Sequence, residues 1–135
     1  MPKEIFIAGK VDSGEETIQE LASELESRGH KITFKWWEGE KLQRPYLGHR
    51  DSSNNAAKKM LEGINEGKIF ILIPGEGVLG ALIEFGIAIR DQQDNLGKEI
   101  IVVVESGKTH QSVYYGYEGV LVVENIDQIR QRPWY

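Results

Sequence analysis

The sequence has no cysteine. That excludes disulfide cross-links, thiol nucleophiles and thiolate-held zinc or iron–sulfur centres, and it fits a reducing compartment, so a cytoplasmic location is the expectation. An excess of positive charge is also missing. Lys and Arg number 16 against 21 Asp and Glu, a net charge of −5. A general binder of nucleic-acid polymers would carry a basic patch, and none is expected here. No block of like charges forms an interaction tail. No apolar run is long enough to cross a bilayer, so no membrane partner is expected. The apolar run from Ile5 to Gly9, behind Met1-Pro2-Lys3-Glu4, is too short for the core of a signal peptide. No histidine–carboxylate set has metal-ligand spacing, so no metal site is expected. Internal repeats and low-complexity segments are absent too. What is present is a 40% hydrophobic content over 135 residues, enough for one real core, and residues 1–135 read as a single domain.

Apolar runs alternate with helical periods along the chain. Ile5-Phe6-Ile7-Ala8 is a short buried strand ended by Gly9. Ser13 stands three residues before Glu16, a capping-box spacing. The helix after it places Ile18, Leu21, Ala22 and Leu25 on one face, and Gly29 closes it. Lys31 to Lys35 alternates as a half-buried strand at a sheet edge. Residues 38–53 are polar and aperiodic and read as a long loop. Asn54 then stands as the cap of a second helix, with Ala57, Met60, Leu61 and Ile64 inward. Ile69 to Ile73 is a central strand stopped by Pro74-Gly75, and a helix follows over Leu79 to Asp91. Ile100 to Val104 and Val120 to Val123 supply two more strands, and Asn125 caps a short terminal helix over Ile126 and Ile129. Strands alternating with helices predict an α/β, Rossmann-like parallel sheet covered on both faces. Ligands of such sheets bind at the carboxyl ends of the strands, where strand order reverses. Three segments should meet there: Ala8-Gly9-Lys10, Trp36-Trp37, and Pro74 through Glu84.

The last of these carries the chemistry. Pro74-Gly75-Glu76-Gly77-Val78-Leu79-Gly80 leads straight into a helix, so glycines let backbone approach a ligand and the helix start offers free N–H groups. No Gly-Lys-Ser/Thr follows, so this is not a Walker loop, and the dinucleotide fingerprint spacing is absent. Within the helix, Glu84 lies among Leu82, Ile83, Phe85, Ile87 and Ala88. A carboxylate in apolar surroundings is costly. Glu84 is therefore either a catalytic carboxylate facing the cleft or a partly exposed side chain eased by the helix dipole.

Ile5-Phe6-Ile7-Ala8-Gly9, Trp36-Trp37, the Pro-Gly loop, and Gly80 four residues before Glu84-Phe85-Gly86-Ile87-Ala88 together resemble the nucleoside 2-deoxyribosyltransferase family. That family includes the deoxynucleoside 5′-monophosphate N-glycosidases, and the resemblance reaches to about Val104. It implies a flavodoxin-like sheet of five parallel strands, no metal and no cofactor. It implies that Glu84 attacks the anomeric carbon of a (deoxy)ribosyl group and forms a glycosyl-enzyme, which a second base or water then releases. Three positions depart from the family pattern. Ile5-Phe6-Ile7 stands where a strand-end tyrosine is usual. Lys59-Met60 falls where a helix aspartate is usual. Val78 stands where an Asp or Ser is common, six residues before the nucleophile. A catalytically inactive nucleoside- or nucleotide-binding module of the same fold is the alternative these departures favour.

His49 and Asp51, in the loop, are candidates to replace the missing groups, and each is otherwise a solvated loop residue. Trp37 is the candidate for stacking on a base, against plain packing. Ala8, Gly9, Lys10, Gly75, Gly77, Val78 and Gly80 complete the expected substrate-binding set. Glu76, in a loop without Arg, Lys or Ser, points towards a nucleoside rather than a 5′-monophosphate. Tyr114-Tyr115-Gly116-Tyr117 and Pro133-Trp134-Tyr135 are aromatic clusters that suggest a homo-oligomer, unless both fold back on their own domain.

Overall fold

Five parallel strands form one sheet in the computed structural model of the chain, which describes residues 2–9, 15–39, 42, 44–75, 79–105 and 112–135. The strands are β1 (Glu4–Gly9), β2 (Lys31–Ile32), β3 (Ile69–Ile73), β4 (Glu99–Val103) and β5 (Val120–Val123), in the spatial order β2-β1-β3-β4-β5. All pairings are parallel, with Ile5 opposite Ile69, Gly9 opposite Ile73, Ile71 opposite Ile101 and Ile101 opposite Leu121. The helices are α1 (Glu15–Ser27), α2 (Arg50–Glu66), α3 (Leu79–Asp94) and α4 (Ile126–Arg130). This is the parallel sheet that the alternating pattern predicts, in the flavodoxin-like arrangement that the family resemblance implies.

Strand alternation divides the core in two. Ile5, Ile7, Ile69, Ile71, Ile101 and Val103 pack against Ile18, Leu21, Ala22 and Leu25 of α1 and Ile129 of α4. Phe6, Ala8, Phe70, Leu72, Ile100 and Val102 point to the other face and pack against Ile64 of α2 and Ala81, Phe85 and Ala88 of α3. Both faces being covered explains why the strands read as continuous apolar runs rather than alternating ones. Phe6 and Phe70 stack with ring centroids 5.7 Å apart between the sheet and the α2–α3 layer. Gly29 ends α1 at φ 93°, a left-handed conformation that glycine adopts without strain. Asn125 caps α4 by accepting from the Gln128 N–H, as its position implies.

Three expectations are corrected. β2 covers only Lys31–Ile32 and not residues 31–35. It is an edge strand with β1 as its one neighbour, and after the Thr33 N–H bonds the Ile5 carbonyl the Thr33 hydroxyl donates instead to the Gly63 carbonyl at 2.8 Å, drawing the chain off the sheet towards α2. The stretch read as loop through Ser53 instead holds a 3-10 turn at Tyr46–His49 and the start of α2 at Arg50, so Asn54 lies inside the helix rather than capping it. On α2, Ala57 and Leu61 are exposed, and the inward stripe runs through Ser53, Ala56, Met60 and Ile64. The Ser13 cap lies outside the described residues.

One charged pair is built into the α2–α3 side. The Lys98 ammonium is almost fully enclosed, bonding the Asp91 carboxylate at 2.7 Å and the Ile64 carbonyl at 2.5 Å. Removing one partner of such a pair leaves the other buried and uncompensated. Lys98→Ala is expected to lower unfolding stability by about 3 kcal/mol, measured by urea denaturation, while Lys31→Ala, in an exposed pair with Glu66, costs less than about 1 kcal/mol.

Candidate active site

Strand order reverses between β1 and β3, because the chain leaves β1 for one edge and returns to build the other. The helices that follow these two strands, α1 and α3, pack on opposite faces of the sheet, and in open α/β sheets the ligand crevice lies outside the carboxyl ends at such a point. Its floor is the paired ends Ala8–Leu72 and Gly9–Ile73. Gly9 is needed there, since a Cβ would fall 2.3 Å from Ile18 Cδ1 and 3.0 Å from the Ile73 carbonyl oxygen. Pro74 and Gly75 continue from β3, and α3 begins at Leu79 with Gly80 exposed in its first turn. Trp36 Nε1 donates to the Ile7 carbonyl at 2.8 Å, which pins the indole beside the end of β1. Of the segments expected to converge, the end of β1, Trp36 and the Pro74 end of β3 meet here.

Glu84 occupies the second turn of α3. Helical spacing places it on the flank of the face that buries Ala81, Phe85 and Ala88. Asp91, one heptad further on, lies on the same stripe, and Asp91 meets Lys98, which in turn bonds α2. The Glu84 stripe therefore lies on the side of α3 that meets α2. Glu84 is half-buried, and among the described residues it forms no hydrogen bond or ion pair. Burial alone pushes its carboxyl up from 4.5 to about 7. Such a group exchanges a proton near neutrality, which is the behaviour of carboxyls recruited for acid–base or nucleophilic work.

The other expected residues are distributed unevenly. Ala8, Gly9, Gly75 and Gly80 lie at the crevice. Lys10, Gly77 and Val78 lie outside the described residues, as does Glu76. His49 and Asp51 are exposed, one in the 3-10 turn and the other in the first turn of α2, and neither reaches Glu84 by a hydrogen bond. Trp37 turns away to α1, where it borders a small pocket with Gln19, Ala22 and Lys35. Its ring meets Trp36 edge to face at 5.3 Å. The tryptophan at the end of β1 is thus Trp36. The strand has already ended at Ile32, so strand alternation does not set which of the two indoles faces the end of β1. The inward stripe of α2 carries Ser53, Ala56 and Met60 and no carboxylate.

The aromatic clusters fold largely onto their own domain. Tyr115 is buried edge-on against Phe85, at 5.5 Å, and only Tyr114 of that cluster is well exposed. Trp134 packs against His30, and Tyr135 lies under the Arg28 guanidinium, 4.0 Å from the ring centroid. Among the described residues no three His, Asp or Glu side chains gather where they could hold a metal ion, and no helix is long and apolar enough to cross a membrane.

No protein-family model matches the sequence, and no curated protein does. Among solved structures the chain is similar to the Clostridium botulinum CMP N-glycosidase BcmB, with a TM-score of 0.63 and 21% identity over 96% of both chains. The two share a fold from end to end.

The raised carboxyl of Glu84 has a consequence for stability. A group held neutral by the fold favours folding below its ordinary range, and that contribution is lost as pH climbs through about 7 and the buried carboxylate forms. Glu84→Gln stays neutral throughout. Thermal melts should place the variant level with the parent at pH 5 and ahead of it at pH 8, by roughly 2 kcal/mol after allowing for partial exposure.

Proposed function

We propose that the protein cleaves the N-glycosidic bond of a small nucleoside or nucleotide, with Glu84 as the nucleophile. The observation that carries this reading is the position of Glu84. It is a carboxyl with no partner among the described residues, with its pKa raised to about 7, on the helix that follows the Pro74-Gly75 end of β3. The fold shared with an N-glycosidase over 96% of both chains supports the same reading, as do the family-like residues from Gly80 to Ala88.

In the proposed reaction the ionised Glu84 carboxylate forms a bond to the anomeric carbon as the carbon–nitrogen bond breaks. The bonding pair leaves with the base, which takes a proton from solvent or a nearby acid. The developing positive charge on the sugar is stabilised by the carboxylate and then trapped as an ester. Water, or the nitrogen of a second base, attacks the same carbon and returns the carboxylate. Hydrolysis and transfer differ only in which of these enters. Trp36, Gly9, Gly75 and Gly80 are the candidates to border the sugar and base. Trp37, His49, Asp51, Lys10, Gly77 and Val78 remain candidate contacts of that substrate. No metal or cofactor enters this scheme.

A second reading has its own observation. Glu84 has no carboxylate opposite it on the inward stripe of α2, where Ser53, Ala56 and Met60 stand, so a group to orient it or protonate the leaving base is not evident among the described residues. This favours a nucleoside- or nucleotide-binding module without turnover. A homo-oligomer belongs to either reading on changed grounds: Leu79 and Ile83 of α3 and Leu47 beside α2 are well exposed and would suit a second copy.

The deciding experiment incubates the protein with ribo- and deoxyribonucleosides and their 5′-monophosphates, with and without a second free base, and separates released bases by chromatography. Base release that falls at least about a thousandfold in Glu84→Gln is expected of a nucleophile. Folded protein that releases no base from any member, yet is thermally stabilised by some of them, would decide for the binding module. Where turnover occurs, kcat/KM should rise with pH and level off above about 7, because only the ionised carboxylate attacks. A flat profile from pH 5 to 8 would contradict that role.

A further inference from the structure

The edge of the sheet opposite Glu84 carries an open groove of about 580 Å³ along the amino ends of β3, β4 and β5. Its charge runs against the rest of the molecule. The chain as a whole carries −5, yet four cations, Lys3, Lys68, Lys98 and Arg132, line this groove against the carboxylates of Glu99 and Glu118.

Of the two carboxylates Glu99 is already engaged, while Glu118 has no hydrogen bond or ion pair among the described residues. Glu99 accepts from Arg132 Nη2 on one oxygen and from the Trp134 indole N–H on the other. Lys98 is turned inward to Asp91 and the Ile64 carbonyl, where it meets the negative end of α2. Cations near helix carboxyl ends often serve only that purpose, and here Lys98 already serves it. The ammonium groups of Lys3 and Lys68 have no hydrogen bond or ion pair among the described residues. The Nε–H of Arg132 is buried without an acceptor. The groove therefore holds a surplus of donors.

Its apolar part is equally specific. Leu96 is 91% exposed on the rim, and Trp134 forms part of the wall. The wall is held in place by Gln92, whose amide donates to the Lys98 carbonyl at 2.9 Å and the Gly119 carbonyl at 2.8 Å, tying the α3–β4 turn to the start of β5.

We propose that this groove is a second binding site, for a small phosphate monoester with an apolar or aromatic body. The phosphate lies among Lys3, Lys68 and Arg132, and the body lies across Trp134 and Leu96. A phosphate suits the surplus because its oxygens accept several charge-assisted bonds at once. The site stands at the other end of the strands from Glu84 and does not rest on the reading given to that residue.

The test is a titration of the whole chain with phenyl phosphate, followed by the amide and indole signals in NMR, with phenol as the uncharged control. Saturable shifts are expected at Lys68, Gly97, Gly119 and the Trp134 indole, with none of comparable size from phenol. Lys3→Glu combined with Lys68→Glu should weaken binding at least about tenfold, and Lys68→Gln alone by a smaller factor. Glu84→Gln should leave the affinity unchanged, which separates this groove from the crevice at the carboxyl edge. Shifts that cluster around Glu84, shifts that never saturate, or an affinity indifferent to both lysine variants would overturn the proposal.

Discussion

The reversal of strand order between β1 and β3 is the constraint on which the rest depends. β1 sits inside the sheet, with β2 on one side and β3 on the other. Right-handed crossovers then send α1 over one face and α2 and α3 over the other. In open α/β sheets such a reversal is where a ligand crevice lies, outside the carboxyl ends of the two strands. The paired strand ends, the Trp36 indole anchored on Ile7 and the start of α3 are brought together by this one topological fact. Gly9 shows how tight the floor is, since even one added carbon would strike Ile18 or the Ile73 carbonyl.

Two carboxyls on α3 show how surroundings assign different chemistry to similar groups. Asp91 and Glu84 are a heptad apart on one stripe. Desolvation pushes both upwards. At Asp91 the Lys98 ammonium, with Asn95 and the field of Lys68, more than offsets it and holds the carboxyl below its usual range. At Glu84 no cation among the described residues answers, and burial raises the carboxyl to about 7. The first is a structural ion, fixed between two helices. The second keeps a choice of protonation state at neutral pH, and chemistry at the crevice would use that choice.

Most of the architecture was legible in the residues, and the failures have local causes. Strands β1, β3 and β4 are continuous apolar runs because both sheet faces are covered, β5 is one although Val122 stays exposed at the sheet edge, and α1 shows a clean apolar stripe because its other face meets water. The start of α2 was hidden because its first turns are almost wholly exposed and polar, so no period marks them. β2 was overextended because alternation continues past Ile32, while pairing stops where Thr33 turns its hydroxyl to Gly63. At the candidate site, Glu84 was legible as an acid among apolar neighbours. That Trp36 rather than Trp37 sits beside the end of β1 was not legible, because it depends on where an edge strand ends. The terminal aromatics looked like an interface, yet Trp134 and Tyr135 fold onto His30, Arg28 and Glu24 through contacts more than a hundred residues apart in sequence.

The most direct measurement is the mass of the intact protein after exposure to a 2′-deoxy-2′-fluoro nucleoside, a substrate whose ring fluorine slows release of a glycosyl-enzyme more than its formation. A mass increase equal to the fluorinated sugar, mapped by proteolysis to the peptide holding Glu84 and absent from Glu84→Gln, is the expected result. Base release with no adduct, or an adduct on any other residue, would contradict nucleophilic attack by Glu84.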